Sequence, residues 1–154
     1  MALHTVPVRY VRNFRKQDLD RVVDIGNSSL TEYYTPSLIM DLYRSWPESF
    51  MVYCVGSEIV GFIVGSRQSD IDARILLLAV DARYRNQGGC GSALMDSFLR
   101  LCRDCGIRSV RLEVRTDNEK AISFYRRYGF SITSTLKSYY SDASDAYVMW
   151  KILE

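Results

Sequence analysis

Histidine is scarce in this chain of 154 residues, which contains a single one, His4, close to its first residue. Serine and cysteine nucleophiles are commonly activated by a histidine base. With His4 alone, the sequence excludes a catalytic group of the serine, histidine and aspartate type. We expect any general base in this protein to be a carboxylate, a tyrosine, a cysteine or water.

Cysteine is also infrequent: the chain has four, Cys54, Cys90, Cys102 and Cys105, and no secretion signal accompanies them. We therefore expect reduced thiols. Cys102 and Cys105 have the spacing of many redox and zinc sites, but they fall in a helical pattern and no second pair of ligands follows. We expect them to be buried apolar residues, with no metal bound.

The chain lacks a strong charge bias and a long hydrophobic run. Its net charge of +2 and isoelectric point near 8.3 give no general reason to expect nucleic acid or membrane as a partner. No apolar run approaches the roughly 20 residues of a membrane span, and residues 1–10 lack the hydrophobic core of a signal peptide. With 47% hydrophobic residues, the sequence predicts one globular domain over residues 1–154, located in the cytoplasm.

The most informative stretch runs from Ala79 to Met95 and passes from an apolar strand pattern through a basic, glycine-rich turn into a helix pattern. Glycine lets the backbone approach a ligand closely, and the free N–H groups of a helix N-terminus attract anions. Arg83 and Arg85 add mobile positive charge. The pattern predicts a phosphate-binding loop, although a strand-to-helix connection that binds nothing would contain the same glycines.

Hydrophobic periodicity predicts the remaining elements. Strands are expected over 6–11, 50–55, 59–64, 73–80, 110–115, 130–136 and 146–153. Helices are expected over 17–29, 37–44 and 91–106, and a further one follows a cap at Asp117 or Asn118 and ends at Gly129. The stretch from Leu30 to Pro36 is rich in aromatic residues and is expected to be a loop.

The periodicity places a carboxylate, Glu113, on a strand and a tyrosine, Tyr125, on a helix. In the strand over 110–115, Glu113 shares the polar face with Arg111 and Arg115. A purely structural role for Glu113 would be an ion pair with either arginine. Tyr125 lies on the helix that follows, where a purely structural role would be packing.

Together these patterns resemble the GCN5-related N-acetyltransferase (GNAT) superfamily. The likeness lies in Ala79-Val80-Asp81 before Tyr84-Arg85, in Gly89-Cys90-Gly91 before Ser92-Ala93-Leu94-Met95, in Leu112-Glu113-Val114-Arg115, in Asn118 and Ala121, and in Phe124-Tyr125-Arg126-Arg127-Tyr128-Gly129-Phe130. It covers the chain from about Phe50 to the end. The resemblance implies an α/β fold of the acyl-CoA N-acyltransferase type. In that fold a twisted, mostly antiparallel sheet of about seven strands is flanked by about four helices, with a splayed parallel pair at the cofactor cleft.

The resemblance also implies acetyl-CoA as the cofactor. Backbone groups near Leu78, Ala79 and Val80 would pair with the pantetheine arm as an added strand does, and an amide near Ala79 or Val80 would stabilise the oxyanion. The glycine turn is one residue longer than the family pattern, which leaves open which amide meets which phosphate oxygen. The implied cofactor-binding residues are Leu78, Ala79, Val80, Arg85, Asn86, Gln87, Gly88, Gly89, Cys90, Gly91, Ser92, Asn118 and Tyr125.

Within this superfamily the chain is most similar to the protein N-terminal (Nα) acetyltransferases, of the bacterial ribosomal-protein alanine type and the archaeal type. Leu30-Thr31-Glu32-Tyr33-Tyr34 resembles the loop that holds the peptide N-terminus in that group, with Thr31 in the place of a proline. Glu113 followed by Tyr125 resembles the bacterial pair of base and acid, and Tyr139-Tyr140 resembles the tyrosine pair of the closing hairpin. The implied substrate-binding residues are Leu30, Glu32, Tyr33, Tyr34, Tyr139 and Tyr140.

Acetyl transfer needs an uncharged amine, a donor to the developing oxyanion and a proton for the departing thiolate. An α-amine has a pKa near 8 against about 10.4 for lysine, so its deprotonation at pH 7 costs only about 1.4 kcal/mol. We expect Glu113 to act as general base through a water molecule, with Glu32 as a second candidate base or an anchor for the amine. We expect Tyr125 to be the general acid at the sulfur of coenzyme A.

Two other functions stay open at this point. A member of the superfamily could acetylate a small-molecule amine or a lysine side chain, but the Leu30 to Tyr34 loop favours a peptide. A non-catalytic acyl-CoA sensor or scaffold would bind the cofactor without turnover, but the pair of Glu113 and Tyr125 favours an enzyme. For the leading function the partner is the N-terminus of a protein or peptide. The ribosome or an auxiliary subunit are further candidate partners, and no nucleic acid or membrane is expected.

Overall fold

The computed structural model describes residues 6–86 and 89–154, and in these ranges seven strands form one sheet in the order β1-β2-β3-β4-β5-β7-β6. The strands are β1 (Arg9–Asn13), β2 (Met51–Val55), β3 (Glu58–Arg67), β4 (Asp72–Val80), β5 (Ser109–Arg115), β6 (Ser131–Leu136) and β7 (Ala146–Ile152). The α-helices of the same ranges are α1 (Leu19–Ser29), α2 (Pro36–Ser45), α3 (Cys90–Asp104) and α4 (Glu119–Arg127). The expected fold class is confirmed.

β4 and β5 run parallel, whereas the other neighbouring strands run antiparallel. The two parallel strands pair only at their starts, where residues 72–74 of β4 face residues 109–111 of β5. Beyond Arg74 and Arg111 the strands separate, which confirms the expected splay. The wedge-shaped opening between them is called the β4–β5 cleft below.

The helices cover both faces of the sheet. α3 and α4 pack on one face, where Phe98 and Ile122 share a core with Ile63 of β3. α1 and α2 pack on the other face, where Ile25 shares a second core with Phe62 of β3. Neighbouring residues of β3 therefore point to opposite cores, as strand geometry requires. The β4–β5 cleft therefore opens between these two layers.

Glycine at two positions of β3 lets α3 lie close to the sheet. A Cβ atom at Gly61 would lie 2.7 Å from Sγ of Cys90, the first residue of α3. A Cβ atom at Gly65 would lie 2.5 Å from Cε1 of Phe98. Both distances are well below van der Waals contact, so a side chain at either position would push α3 away from the sheet.

β7 lies between β5 and β6, an order that the sequence did not reveal. Arg115 at the end of β5 pairs with Ala146 at the start of β7. The connection between β6 and β7, residues 137–145, is therefore held beside the end of β5. This places Tyr139 and Tyr140 next to the strand that carries Glu113.

The predicted first strand begins too early. Val6 and Val8 precede β1 and are 86% and 71% exposed, because the partner strand β2 ends at Val55, which pairs with Arg9. The predicted first helix also begins too early, since residues 16–18 form a 3-10 turn and α1 starts at Leu19. None of the helices in the described ranges has both the length and the hydrophobicity of a membrane span.

Candidate active site

The last residues of β4 form one wall of the β4–β5 cleft. The amide of Asp81 donates to the carbonyl of Val60 in β3 at 2.8 Å, so the two-residue period of the strand turns the backbone groups of Ala79 toward β3 as well. The same period turns the backbone groups of Leu78 and Val80 toward the cleft. The carbonyl of Val80 already accepts hydrogen bonds from Arg85 Nε at 3.0 Å and Ser29 Oγ at 3.2 Å. Of the three predicted backbone ligands, Leu78 and Val80 therefore face the cleft, whereas Ala79 faces β3.

The turn after β4 is held by charged side chains. Arg83 contacts Oδ2 of Asp81 at 3.0 Å and Oε1 of Glu58 at 2.6 Å, so the expectation that Arg83 is a mobile charge is wrong. The hydrogen bonds from the side chain and amide of Arg83, together with Arg21, hold the pKa of Asp81 well below its usual range. Asp81 is thus ionised and holds the turn through its arginine partners. Arg85 is the arginine of this turn whose side chain donates to β4, at the carbonyl of Val80.

The start of α3 offers free amides. Gly89 precedes the helix with a φ of 69°, and its carbonyl accepts the first helical hydrogen bond, from the amide of Ala93 at 2.9 Å. The amides of Cys90, Gly91 and Ser92 precede that bond and are the unpaired donors of a helix N-terminus. Such donors suit a phosphate group. Asn86 also has a positive φ of 61°, whereas Gln87 and Gly88, with the question of the lengthened turn, lie outside the described residues.

A cavity of about 280 Å³ adjoins β4 and β5 on the face of α1 and α2. It is lined by Glu32, Tyr34, Arg74, Leu76, Glu113, Tyr139, Tyr140 and Ser141. Four of the six predicted substrate residues thus meet Glu113 there. The other two do not line the cavity: Leu30 packs against the core beneath α1, and Tyr33 is 76% exposed.

Glu113 is held between two arginines at the floor of this cavity. Its carboxylate accepts hydrogen bonds from Arg74 Nε at 3.0 Å and from Arg111 Nε at 3.1 Å, and its side chain is 6% exposed. Arg74 also donates from Nη2 to the hydroxyl of Tyr139 at 2.9 Å. The ion-pair alternative is therefore realised with Arg111, whereas Arg115 has other partners. Two charged donors fix the direction of the Glu113 carboxylate.

Tyr125 lies on the other face of the sheet, where its ring packs against Phe124 and Phe130 at centroid distances of 5.5 and 5.9 Å. Burial raises the pKa of Tyr125 to about 12. Burial also raises the pKa of Tyr140, with smaller contributions from neighbours that include Tyr139, Glu113 and Tyr125. Both hydroxyls therefore keep their protons at neutral pH and are available as donors.

Asn118 caps α4, because its side-chain oxygen accepts from the amide of Ala121 at 3.2 Å. Helix capping is one of the two roles that the sequence suggested for Asn118, the other being cofactor binding.

Sequence reasoning missed three cavity residues, Arg74, Leu76 and Ser141. Arg74 and Leu76 have the alternating spacing of one strand face, but only the parallel pairing of β4 with β5 brings that face beside Glu113.

A larger groove of about 490 Å³ lies elsewhere, beside α3 and β7. Its rim mixes acidic and basic side chains, including Asp96, Arg100, Arg103 and Lys151. It contains none of the predicted site residues. The smaller cavity is therefore the better candidate for the chemistry.

The cysteines pack as apolar side chains. Cys54, Cys90 and Cys102 are buried, whereas Cys105 is partly exposed. Burial raises the pKa of Cys90 and of Cys102 to about 12, so both are thiols at neutral pH. Across 6–86 and 89–154, no three side chains of the metal-binding types are grouped to hold an ion.

A mixed sheet whose parallel pair separates beside a glycine-bearing turn is the architecture of acetyl-CoA-dependent N-acetyltransferases. This protein is such an enzyme, and it belongs to the acetyltransferase (GNAT) family, whose model matches residues 19–130. Ard1 from Thermoplasma volcanium has a crystal structure with a TM-score of 0.93 and 59% identity, over 95% of this chain and 98% of that one.

Two further proteins are similar over most of their length. An N-alpha-acetyltransferase of Sulfurisphaera tokodaii is 28% identical, with 90% of each chain covered. Arabidopsis thaliana Naa50, solved in complex with the bisubstrate analogue CoA-Ac-MVNAL, is 28% identical with a TM-score of 0.82, over 93% of this chain and 97% of that one.

Proposed function

We propose that this protein acetylates the α-amine of protein N-termini, with acetyl-CoA as donor and by direct attack in a ternary complex. The observation that carries the proposal is the cavity formed by Glu32, Glu113, Tyr139 and Tyr140 beside the β4–β5 cleft. The relative named as an N-alpha-acetyltransferase, and the Naa50 complex with a peptide-bearing CoA analogue, support the same substrate class.

The cofactor is proposed to lie in the β4–β5 cleft. The pantetheine arm would pair with the cleft-facing backbone of Leu78 and Val80, as an added strand does. The diphosphate would meet the free amides at the start of α3 and the side chain of Arg85. The amide of Val80, which faces the cleft, is then better placed than that of Ala79 to donate to the oxyanion.

The amine is proposed to enter the cavity on the face of α1 and α2. Glu32 supplies the negative charge that attracts an ammonium group, because the charge of Glu113 is balanced by Arg74 and Arg111. A carboxylate is a weak base, and a weak base suffices for an α-amine that is already partly neutral at pH 7. Glu113 would accept the proton through an ordered water molecule, with Glu32 anchoring the amine.

Tyr125 is proposed as the general acid. After the amine attacks the thioester carbon, the C–S bond breaks and the thiolate needs a proton. Tyr125 lies on the opposite face of the sheet from Glu113, and its hydroxyl is protonated at neutral pH because burial raises its pKa to about 12. The transfer leaves free coenzyme A and the acetylated N-terminus.

An assay with a panel of peptides tests this proposal. Peptides that begin with Ser, Ala or Met are compared with an N-terminally blocked peptide that carries an internal lysine, and with polyamines. We expect turnover of free N-termini, and a loss of about a hundredfold in kcat for Glu113→Gln and for Tyr125→Phe.

Exposed residues of the same types provide matched controls, Glu48→Gln and Tyr10→Phe, which we expect to keep wild-type rates. Acetylation of lysine or polyamines without any N-terminal product would contradict the substrate class. Wild-type rates in both Glu113→Gln and Tyr125→Phe would contradict the assigned roles.

A further inference from the structure

Two loops that lie far apart in the sequence face each other across the candidate amine site. The first, residues 30–35, joins α1 to α2 and carries Glu32 and Tyr34. The second, residues 137–145, joins β6 to β7 and carries Tyr139 and Tyr140. Neither belongs to a helix or to the sheet, so the shape of the cavity depends on contacts that hold the loops together.

The side chain of Arg115, at the end of β5, reaches both loops. Nη1 donates to Oγ1 of Thr31 at 3.0 Å, in the first loop. Nη2 contacts Oδ2 of Asp142 and Oγ of Ser144, both at 2.6 Å, in the second. The guanidinium carbon also lies 4.9 Å from the ring centroid of Tyr140. A planar fork with several donors and a stacking face allows one side chain to make all four contacts.

The surroundings of Arg115 fit a fixed structural role. The side chain is 16% exposed, although it is charged. The hydrogen bonds from Arg115 and from Ser144 hold the pKa of Asp142 well below its usual range. A second contact joins the same two loops: Oε1 of Glu32 accepts a hydrogen bond from the amide of Ser141 at 2.8 Å. Two sets of contacts thus join the loops. The set made by Arg115 also links both loops to the sheet, because Arg115 belongs to β5.

We propose that Arg115 is a positioning residue that sets the two peptide-binding loops against each other and so forms the amine site before the substrate binds. This inference rests on the proposed function for its substrate. Arg115 does not line the cavity, so it acts through Thr31, Tyr140 and Asp142. Removing it leaves the β4–β5 cleft intact and disorders the walls that meet the peptide.

The test compares Arg115→Met with the wild type in steady-state assays against both substrates. Because charge-assisted hydrogen bonds to both loops are lost, we expect the KM for a peptide to rise about tenfold or more. The fall in kcat is expected to be smaller, and the Kd for acetyl-CoA by calorimetry is expected to stay within about twofold. Arg115→Lys keeps the charge for Asp142 but lacks the planar fork, so its KM should be intermediate.

Two further variants make the result specific. Arg103→Met removes an exposed arginine near the end of α3 and should leave all constants unchanged. Thr31→Val removes only the hydroxyl that Arg115 contacts. It should raise the peptide KM without changing the fold, and it carries the test if Arg115→Met does not fold. The double variant should be no worse than Arg115→Met alone, because Arg115→Met already breaks the contact that Thr31→Val removes.

Hydrogen exchange gives a readout that does not depend on the substrate. We expect faster amide exchange in residues 30–35 and 137–145 of Arg115→Met, with the start of α3 unchanged. If the wild type acetylates another amine and no peptide, the proposed function fails while Arg115 is tested by the KM for that amine. An unchanged amine KM in Arg115→Met, or an equal loss of affinity for acetyl-CoA, would overturn the inference.

Discussion

Glu113 and Tyr125 lie on opposite faces of the sheet, Glu113 in the lining of the amine cavity and Tyr125 against the core on the face of α3 and α4. The chain reaches both positions by leaving β5 and entering α4 within a few residues. Their surroundings differ in character. Glu113 is paired with Arg74 and Arg111, whereas Tyr125 packs among aromatic rings and keeps its proton at neutral pH because burial raises its pKa to about 12. This difference suits an acceptor for one proton and a donor of another.

The pKa of Tyr125 predicts the alkaline side of the rate profile. A general acid must be protonated, and a tyrosine with a pKa of about 12 stays protonated up to about pH 11. We expect kcat to rise with the titration of the α-amine near pH 8 and then to stay level to about pH 10.5. The measurement is kcat against pH, with circular dichroism to confirm that the protein stays folded. A fall centred near pH 10, where an ordinary tyrosine titrates, would contradict the raised pKa of Tyr125.

At the scale of elements, the close contact between β3 and α3 fixes the position of the helix that follows the glycine turn. Gly65 faces Phe98 so closely that a methyl group has no room, as the 2.5 Å distance shows. The carbonyl of Arg74 lies 2.7 Å from the same added atom. Backbone and an aromatic ring cannot both move aside without shifting β4 or α3.

We therefore expect Gly65→Ala to lower the free energy of unfolding by about 1–3 kcal/mol. Gly26→Ala is the matched control, because its added atom would meet Phe62 at 3.6 Å, an ordinary contact, within α1. Since alanine favours a helix more than glycine, Gly26→Ala should be neutral or stabilising by up to about 1 kcal/mol. Urea denaturation of both variants measures the difference. Equal stability of Gly65→Ala and the wild type would show that α3 can retreat at little cost.

The whole molecule is a sheet divided by one cleft, with a helical layer on each side. Binding of a long ligand in the cleft would connect β4 to β5 beyond Arg74 and Arg111, where their own pairing ends. It would also place charge at the start of α3. The folded state should therefore gain stability from the ligand, and the gain should depend on the diphosphate.

Thermal unfolding with coenzyme A tests this expectation. At a ligand concentration of about 100 times the Kd, the folded state gains about 2.7 kcal/mol. For a domain of this size the melting temperature should rise by about 5–10 °C. Pantetheine, which lacks the diphosphate, should give a much smaller shift at the same concentration. An equal shift with both ligands would argue against phosphate binding at α3, and no shift with coenzyme A would argue against the cleft.

The sequence by itself determined the elements, the glycine turn and the alternation that puts Glu113 on a polar strand face, because these depend on neighbours a few residues apart. It also predicted five of the eight residues that line the cavity: Glu32, Tyr34, Glu113, Tyr139 and Tyr140. Only the tertiary structure decided which strands are neighbours and which charges meet. Arg74 and Glu113 are 39 positions apart, and Arg115 and Thr31 are 84 positions apart. Such contacts depend on where β7 enters the sheet and how far β4 and β5 diverge, and no local pattern encodes either.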